Sequence, residues 1–318
     1  MGINGISLEN KEKQSHIPVL LAEVLHWLVP KPGGRYLDCT VGLGGHADAL
    51  LERAGPDAVL LGLDRDEGAL VVSRERLRRW GTRAHLVHAR YRDLAQQAQH
   101  FGGSVFDGIL FDLGVSSMQL DDASRGFSFQ AEGPLDMRID RTQPQTAADL
   151  VNQLPENELA DVLYRFGEER YSRRIARAIA RERKEHPLLT TSQLVELVRR
   201  AVPRAYRHGR IHCATRTFQA LRIAVNRELD DLGESIRQAA THLAPGGRLC
   251  VIAFHSLEDR IVKHTFRDLA AGAEPLLSIL TKKPVTATES ECATNPRARS
   301  AKLRVAERKR STCDGRSA

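Results

Sequence analysis

The sequence has few aromatic side chains and no closely spaced cysteines. Phenylalanine, tryptophan and tyrosine make up 5% of the 318 residues, and the five cysteines stand at positions 39, 213, 250, 292 and 313. An odd number of scattered cysteines without a C-x-x-C pair indicates neither a disulfide framework nor a zinc knuckle. We therefore expect buried or inert thiols, and no group of residues predicts a metal site.

Long apolar runs and targeting signals are also missing. The most apolar stretch, IPVLLAEVLHWLV, is interrupted by Glu23 and His26, so it lacks the run of about 18 apolar residues that a membrane-spanning helix needs. The first residues, MGINGISLENKEKQ, lack the apolar region of a signal peptide. Ile6 stands where a myristoylation signal has serine or threonine. These features predict a cytoplasmic protein that does not bind a membrane.

Positive charge is concentrated in two segments. The formal net charge is +7, but residues 165–227 alone contain 16 lysines and arginines against 5 acids, and residues 282–310 contain 9 against 3. The rest of the chain is acidic on balance. Charge sorted in this way predicts a surface that faces a polyanion such as nucleic acid. A solvated helix face is the alternative interpretation.

Short apolar runs alternate with amphipathic helical patterns in the first third of the chain. We expect strands at residues 35–38, 58–64, 84–89 and 106–114, and helices at 45–54 and 66–80. Nearly continuous apolar strands that alternate with helices are typical of a parallel, doubly wound sheet. The sequence therefore predicts an α/β fold for this region.

From about Gln119 to Asn226 the pattern becomes helical and basic. PENELADVLYRFGEERYSRRIARAIARERKEH predicts one long helix closed by Pro187, and TTSQLVELVRRAV predicts another. The sheet pattern resumes in LGESIRQAATHLAPGGRLCVIAFHS, as a helix, a Gly-Gly turn and a strand. A last strand is expected near residues 301–308, after a long loop at 271–300. We expect a core in two parts, residues 1–120 and 225–318, with an inserted all-helical RNA-binding domain at 121–224.

The glycines of DCTVGLGGHADALL predict a cofactor site. Gly42, Gly44 and Gly45 fall in the first strand–helix turn, which lies beneath the ligand in open α/β sheets. Without Cβ atoms, the backbone can come close to a ligand and present its N–H groups. Asp64 ends the second strand, where a carboxylate can accept both hydrogen bonds of a ribose diol. The sequence therefore predicts an adenosine cofactor.

Two adenosine cofactors fit this pattern. GLGGHA with Asp64 matches a loose NAD fingerprint, which leaves an NAD-dependent reductase as an alternative. Asp38, four residues before Gly42 as in the D-x-G-x-G-x-G loop of methyltransferases, and Asp112, at the end of the fourth strand, favour S-adenosylmethionine. Acids at these positions balance a sulfonium or ammonium cation, whereas they repel a pyrophosphate. Thr40 replaces the first glycine of the methyltransferase pattern.

FDLGVSSMQLDDASRGFSFQAEGPLDMRID, residues 111–140, strongly resembles the bacterial 16S ribosomal RNA cytosine-N4 methyltransferases. The likeness continues through the blocks HIPVLLAEVL, GLGGH, FGEER, ATRTFQALRIAVN, LAPGGRL, FHSLEDRIVK and NPRARSAKLRVAER, and so covers nearly the whole chain. The family pattern usually has proline where this chain has Met118. Residues 271–295 carry no such resemblance.

The resemblance implies a Rossmann-like class I methyltransferase that uses S-adenosylmethionine on one cytosine in the decoding centre of the small ribosomal subunit. By match of motif, the cofactor contacts would be Gly44, Gly45, His46, Asp64, Tyr91, Asp112 and Gln119. A non-catalytic RNA-binding protein on the same fold is a further alternative. Its expected sign is the loss of Asp64 or Asp112, and both are present. No obligate protein partner is evident.

The chemistry of cytosine methylation needs a group that helps a proton leave. The exocyclic amine is a poor nucleophile because its lone pair is delocalised into the ring, so the nitrogen must be aligned and its N–H must meet an acceptor. Asp112 is the candidate catalytic residue. Its alternative role is to hold the ammonium group of the cofactor.

Substrate contacts are predicted from two segments. FHSLEDR is not a hydrolase triad, because three triad members rarely lie within five residues and no G-x-S-x-G elbow is present. We expect this loop to line the base pocket, with His255 and Ser256 as polar contacts. Arg173 and Arg177, on neighbouring turns of one helix face, are expected to bind RNA phosphates.

Overall fold

The computed structural model describes residues 17–103 and 105–310. The expectations for the first 14 residues and for Cys313 lie outside these ranges. Within these ranges, seven strands form one sheet in the order β3-β2-β1-β4-β5-β7-β6. They are β1 (Arg35–Asp38), β2 (Val59–Asp64), β3 (Ala84–His88), β4 (Phe106–Asp112), β5 (Leu243–Ala253), β6 (Leu277–Ile279) and β7 (Lys302–Arg308). The first five strands are parallel, and β7 runs antiparallel to both β5 and β6. The predicted doubly wound sheet is confirmed.

Fourteen α-helices are present in the described ranges. They are α1 (Leu21–Leu28), α2 (Gly45–Ala54), α3 (Glu67–Leu77), α4 (Leu94–His100), α5 (Ser117–Asp121), α6 (Ala147–Gln153), α7 (Glu156–Gly167), α8 (Ser172–Glu182), α9 (Thr191–Ala201), α10 (Arg204–Arg207), α11 (Thr215–Asn226), α12 (Leu232–Thr241), α13 (Ser256–Leu269) and α14 (Glu289–Thr294). None of them combines the length and the apolar character of a membrane-spanning helix.

Apolar side chains on the two faces of the sheet form two cores. Residues of α1, α2 and α3 pack on one face, and residues of α4, α12 and α13 pack on the other. Each strand of the sheet centre is buried on both faces, which explains the nearly continuous apolar runs in the sequence. The four cysteines within the described ranges are free, and three of them are buried.

The helices between β4 and β5 build a third core of their own. Buried apolar residues from Phe127 to Val225 pack together, with α7, α8, α9 and α11 supplying most of them. α8 buries Ile175 and Ile179 on one face and exposes its arginines on the other. A separate core within a segment that interrupts a sheet is the pattern expected of an inserted helical unit.

The single long helix predicted before Pro187 is wrong, because the chain breaks between α7 and α8. Glu168 adopts a left-handed conformation with φ of 49°, and α8 begins only at Ser172. A Cβ on Gly167 would lie 2.4 Å from the Arg216 carbonyl oxygen, so the end of α7 packs closely on α11. The break also buries Glu169, whose carboxylate accepts hydrogen bonds from Tyr171 N–H and Tyr206 O–H.

Two further expectations differ from the structure. The Gly-Gly turn before the fifth strand is part of β5, where the register with β4 shifts. A Cβ on Gly247 would approach the Phe106 carbonyl oxygen to 2.9 Å. The segment 271–300 is not one long loop, since it contains β6, α14 and a 3₁₀ turn at 296–300. Its bridge from Val285 to Leu303 attaches it to β7.

Candidate active site

A cavity of about 480 Å³ opens at the carboxyl ends of the parallel strands. This volume is within the usual range for small-molecule sites. The cavity lies where the strand order reverses between β1 and β4, the position at which open α/β sheets bind ligands. Six of the seven predicted cofactor residues line it: Gly45, His46, Asp64, Tyr91, Asp112 and Gln119. Gly44 is not among the lining residues.

The glycine turn is shaped as much by protein packing as by ligand access. Gly44 has φ of 79°, and a Cβ there would lie 3.2 Å from the Cβ of Ser73 on α3. A Cβ on Gly45 would lie 2.5 Å from Cγ of Pro18. The space that the sequence assigns to a ligand is therefore filled at these two positions by neighbouring side chains.

Asp64 ties the glycine turn to the end of β2. Its Oδ2 accepts a hydrogen bond from Gly42 N–H at 2.7 Å, and its Oδ1 accepts one from Asp66 N–H at 2.8 Å. Burial raises the pKa of this carboxyl, and the two backbone donors oppose the rise. Each carboxylate oxygen has a second lone pair, so both remain able to accept from a ligand hydroxyl.

Thr40 connects β1 with β4 at the cavity wall. Its Oγ1 accepts a hydrogen bond from Asp112 N–H at 2.6 Å, and its own N–H donates to Asp38 Oδ1 at 3.1 Å. The threonine that replaces the first glycine of the methyltransferase pattern thus holds the end of β4. Asp38 is buried and does not line the cavity. Burial raises the pKa of Asp38 to about 7, and the positive potential of His46 opposes that rise.

His46 and Asp112 carry buried polar atoms without protein partners. His46 Nε2 lies 3.5 Å from Asp112 Oδ2. In the described part of the chain, both ring nitrogens of His46 and Oδ1 of Asp112 are shielded from solvent and lack a hydrogen bond. An unsatisfied buried polar group costs about 1–3 kcal/mol, so such groups call for a ligand. A free carboxylate oxygen beside Asp38 suits a cationic ligand and opposes an anionic one.

Tyr91 and Gln119 use their polar groups within the protein. The Tyr91 hydroxyl donates to the Glu228 carbonyl oxygen at 2.7 Å, and burial raises the pKa of this phenol. The Gln119 amide donates from Nε2 to Asp66 Oδ2 at 2.6 Å and accepts at Oε1 from Ser116 N–H at 2.9 Å. The polar groups of these two side chains are therefore already hydrogen-bonded, and what they can offer a ligand is van der Waals contact.

A layer of charged residues from the end of α11, the turn after it and the start of α13 also lines the cavity. Arg222, on α11, donates two hydrogen bonds to Glu228 at 3.0 and 2.8 Å. Glu258, at the start of α13, accepts from Phe254 N–H at 2.8 Å, and its own N–H donates to Nδ1 of His255 at 3.3 Å. Burial raises the pKa of Glu258, but His255 and Arg222 outweigh it and hold the pKa below its usual value.

Carboxylate and imidazole atoms of Glu228, His255 and Glu258 lie within 4.8 Å of one another, as metal ligands would. However, the Arg222 guanidinium binds both oxygens of Glu228. A cation already occupies the position that a metal ion would neutralise. The geometry therefore favours a hydrogen-bonded charge layer over a metal centre.

The predicted substrate residues lie in different places. His255 lines the cavity, whereas the Ser256 hydroxyl donates to Oε2 of Glu168 at 2.8 Å. Arg260 donates to the other oxygen of Glu168 at 3.0 Å, so this glutamate joins the helical insertion to α13. Arg173 and Arg177 are exposed on α8 and are not among the residues that line the cavity.

Several lining residues do not stand out in the sequence. They are Phe129, Phe218, Gln219 and Arg222 from the insertion, with Glu228 and Phe254 from the core. Glu258 appears in the sequence only as a member of the rejected triad. A buried Arg–Glu pair and exposed surface charges look the same in a single sequence, and nothing in the spacing of Arg222 and Glu228 distinguishes them. The family resemblance is the available signal: the block ATRTFQALRIAVN contains Phe218, Gln219 and Arg222, and two other family-like blocks contain Phe129, Phe254 and Glu258.

Comparisons with known proteins identify relatives of nearly the whole chain. The family model described as MraW methylase family matches residues 13–309. The ribosomal RNA small subunit methyltransferase H of Pelobacter propionicus is 51% identical over 307 residues, covering 92% of this chain and 98% of that protein. The protein of the same name from Nostoc sp. is 50% identical over 300 residues, covering 94% and 95%.

The solved structures that match this chain are far more distant in sequence. The crystal structure of TrmN from Thermus thermophilus has a TM-score of 0.42 and 14% identity, covering 91% of this chain and 48% of that one. A putative rRNA-methylase from Clostridium thermocellum has a TM-score of 0.42 and 10% identity, covering 97% and 100%. The family match over nearly the whole chain confirms the resemblance seen in the sequence motifs: this chain belongs to the MraW methylase family.

Proposed function

We propose that this protein transfers a methyl group from S-adenosylmethionine to the exocyclic N4 of one cytosine in the decoding centre of 16S ribosomal RNA. Family membership and the names of relatives at half identity support methylation of small-subunit ribosomal RNA. The single observation that carries the chemistry is the buried, unpartnered oxygen of Asp112 at the strand-order reversal. A protein with this substrate works in the cytoplasm.

The part of the cavity between Asp64 and Asp112 suits S-adenosylmethionine. When bound, this cofactor supplies an electrophilic methyl group. Asp64 would accept the ribose hydroxyls, because both of its oxygens keep a free lone pair. His46 and Asp112 would face the charged end of the methionine moiety, and Gly45, Tyr91 and Gln119 would shape the surrounding walls. Gly44 would act indirectly, by letting the glycine turn pack on α3. Carboxyls at the ends of β1 and β4 disfavour the pyrophosphate of NAD, which argues against the reductase alternative.

Asp112 is the residue that we propose for the proton transfer. Its Oδ1 has no protein donor, so it is free to accept an N–H of the cytosine amine. That hydrogen bond would localise the nitrogen lone pair and accept the charge that develops as the N–H bond weakens. Thr40 holds the backbone of Asp112 at the end of β4. An intact Asp112 with this environment disfavours a non-catalytic RNA-binding role.

The helical insertion, residues 121–224, would act as the RNA-binding domain beside a core formed by residues 1–120 and 225–318. It has its own apolar core, and it contributes Phe129, Phe218 and Gln219 to the cavity wall. A target base in structured RNA must be splayed out of its stack to enter such a cavity. His255 and Ser256 would stand near that base. Arg173 and Arg177 would bind the neighbouring phosphates.

The decisive experiment is transfer of label from S-adenosylmethionine to small-subunit particles taken from cells that lack the homologous enzyme. Digestion to nucleosides should give N4-methylcytidine as the labelled nucleoside. Particles from cells that contain the homologous enzyme are the matched control and should accept little label. Label on another nucleoside would contradict the proposed reaction. Binding of NADH without binding of S-adenosylmethionine would support the reductase instead.

A further inference from the structure

We propose that His212 and Phe129 form a stacking site for a nucleotide next to the target cytosine. This inference rests on the proposed function and deepens it, because it gives the RNA strand a second point of contact outside the cavity. The site takes a purine or pyrimidine base by its flat face, with cationic side chains nearby for the adjacent phosphate.

Phe129 belongs to a part of the cavity wall that reaches the protein surface. Its ring lines the cavity and meets the ring of Phe218 edge to face, with 5.0 Å between the centroids. Gln130, the next residue in the chain, also lines the cavity and is exposed to solvent. Phe129 therefore stands at the rim of the cavity.

His212 extends this aromatic surface outward. Its imidazole stacks on the Phe129 ring, with 4.7 Å between the centroids and 30° between the planes. His212 is exposed and is not among the residues that line the cavity. The Phe129–His212 pair thus contacts the cavity through the phenylalanine and solvent through the histidine.

The backbone holds His212 in this position. Its Nδ1 accepts the Ala214 N–H at 3.3 Å, and its carbonyl oxygen accepts the Thr215 N–H at 3.0 Å, where α11 begins. A ring that is already ordered loses little conformational entropy when a ligand stacks on it. The fold therefore prepares an exposed aromatic group for a flat ligand.

Positive charge surrounds His212 in the chain. The segment from Arg204 to His212 contains three arginines and no acid. Arg204 and Arg210 are exposed, and Arg207 donates to the backbone carbonyl oxygen of Val202 rather than to a carboxylate. Proteins hold single-stranded nucleic acid with this combination, in which cations bind phosphates and aromatic rings bind bases. A polyanion with flat bases therefore fits this surface better than an uncharged partner does.

Entry of the target base into the cavity explains why a neighbouring nucleotide needs such a site. A base that is splayed out leaves its stack, so the next nucleotide loses one stacking partner and stays at the cavity mouth. The Phe129–His212 pair lies at the rim and replaces the lost partner. Stacking accepts any base, so this site holds the strand in place without reading its sequence.

The experiment separates the ring of His212 from its hydrogen-bonding nitrogen. His212→Phe keeps an aromatic face and removes the acceptor of the Ala214 N–H, whereas His212→Asn keeps a polar acceptor and removes the ring. His208→Ala is the matched control. His208 is an exposed histidine of the same segment, and no aromatic ring packs on it in the described part of the chain.

The RNA is edited at the nucleotides beside the target. Small-subunit particles are assembled with normal 16S RNA, or with RNA that lacks the base of the nucleotide on the 5′ side or on the 3′ side of the target cytosine. The value of kcat/KM for methyl transfer is measured for the wild-type protein and the three variants on each of the three particles.

On normal RNA, His212→Asn should lower kcat/KM at least about fivefold, the loss expected when one base–aromatic stack is removed. His212→Phe and His208→Ala should stay close to the wild-type value. One of the two base-free particles should impose a similar loss on the wild-type protein and on His208→Ala, and little further loss on His212→Asn. The missing base changes the RNA equally for every protein, so this non-additivity reports the stack.

Three results would overturn the stacking site. They are a wild-type kcat/KM for His212→Asn on normal RNA, a His212→Phe variant as slow as His212→Asn, and losses from His212→Asn that simply add to those from each missing base. The second result would assign His212 to the support of α11. In all three cases, wild-type transfer to the target cytosine leaves the proposed function intact. A wild-type protein that transfers no methyl group to cytidine in normal particles would instead overturn the proposed function, and this inference with it.

Discussion

The polar residues at the strand ends and the arginines of the insertion are held in opposite ways. Two backbone hydrogen bonds hold the Asp64 carboxylate, and the backbone of Asp112 is tied to Thr40. Arg177 is 61% exposed, and its ion pair with Glu156 spans 3.4 Å. Exposed pairs of this kind contribute about 0–1 kcal/mol. Proton transfer requires fixed groups, whereas phosphate binding requires mainly charge.

The largest effect is expected for Asp112, one of the acids at the strand ends. Asp112→Asn keeps the shape of the side chain and removes its charge, so turnover should fall by at least roughly a hundredfold if Asp112 assists proton loss. Affinity for S-adenosylmethionine should change little. Single-turnover methyl transfer and calorimetric titration measure the two quantities separately. A loss of affinity with normal turnover at saturation would assign Asp112 to the ammonium group instead.

Asp64→Ala should act on binding rather than on chemistry. Loss of a charged acceptor for the ribose hydroxyls should weaken cofactor binding by about 1.5–3 kcal/mol. The same substitution also removes the acceptor of the Gly42 and Asp66 N–H groups. Asp64→Asn is the matched control, because it keeps one oxygen and the side-chain volume. Calorimetry that gives wild-type affinity for Asp64→Ala would remove this residue from the cofactor site.

RNA binding by the exposed arginines of α8 should depend on the salt concentration. Arg173→Glu combined with Arg177→Glu should weaken RNA binding and reduce the slope of log affinity against log salt by about 0.7–0.9 for each lost phosphate contact. Cofactor affinity should stay at the wild-type value, since neither arginine lines the cavity. Filter binding at several salt concentrations gives the slope.

A control for this pair needs the same change in net charge elsewhere on the surface. Arg53→Glu with Arg78→Glu provides it, because both residues are exposed on or beside helices of the core. This double variant should keep a steeper slope than the α8 variant. Equal slopes for the two double variants would mean that the insertion binds no phosphates at these positions. RNA recognition would then belong to the FHSLEDR loop and the basic C-terminal segment.

The smallest effect concerns the buried acid behind the cavity. Burial raises the pKa of Asp38 to about 7, from 3.8 when exposed. The folded protein therefore binds this proton more tightly than the unfolded chain, and the resulting stability is present at low pH and is lost as pH rises through about 7. The melting temperature of the ligand-free protein should fall between pH 5 and pH 8, and more so than that of Asp38→Asn.

Cofactor should reduce this dependence. A bound cation near Asp38 favours the ionised form and so lowers its pKa. Calorimetric melting of both proteins, with and without S-adenosylmethionine, gives the four curves that are needed. Identical pH dependence for wild-type and Asp38→Asn without ligand would show that Asp38 ionises like an exposed carboxyl.

Local patterns in the sequence predict most of the sheet and the acids of the cavity that end β2 and β4. They do not predict the charged residues of α11 and the turn after it. The strands that contain Asp64 and Asp112 are apolar runs that end in an acid, and period and polarity are enough to locate them. The break between α7 and α8 is different, because Gly167 and Glu169 look like ordinary helix residues until α11 packs against them. A helical pattern in the sequence does not show where a neighbouring helix will interrupt it.

By itself, the sequence determined where six of the seven described strands lie along the chain, the glycine turn, the acids at the strand ends and the concentration of arginine in the insertion. These properties follow from periodicity, turn preferences and composition, which act between residues close in the chain. Only the tertiary structure decided that Gly45 makes room for Pro18, that Ser256 faces Glu168 and that Arg222 neutralises Glu228. Each of these contacts joins distant segments, and burial alone turns an ordinary surface residue into a partner with one fixed role.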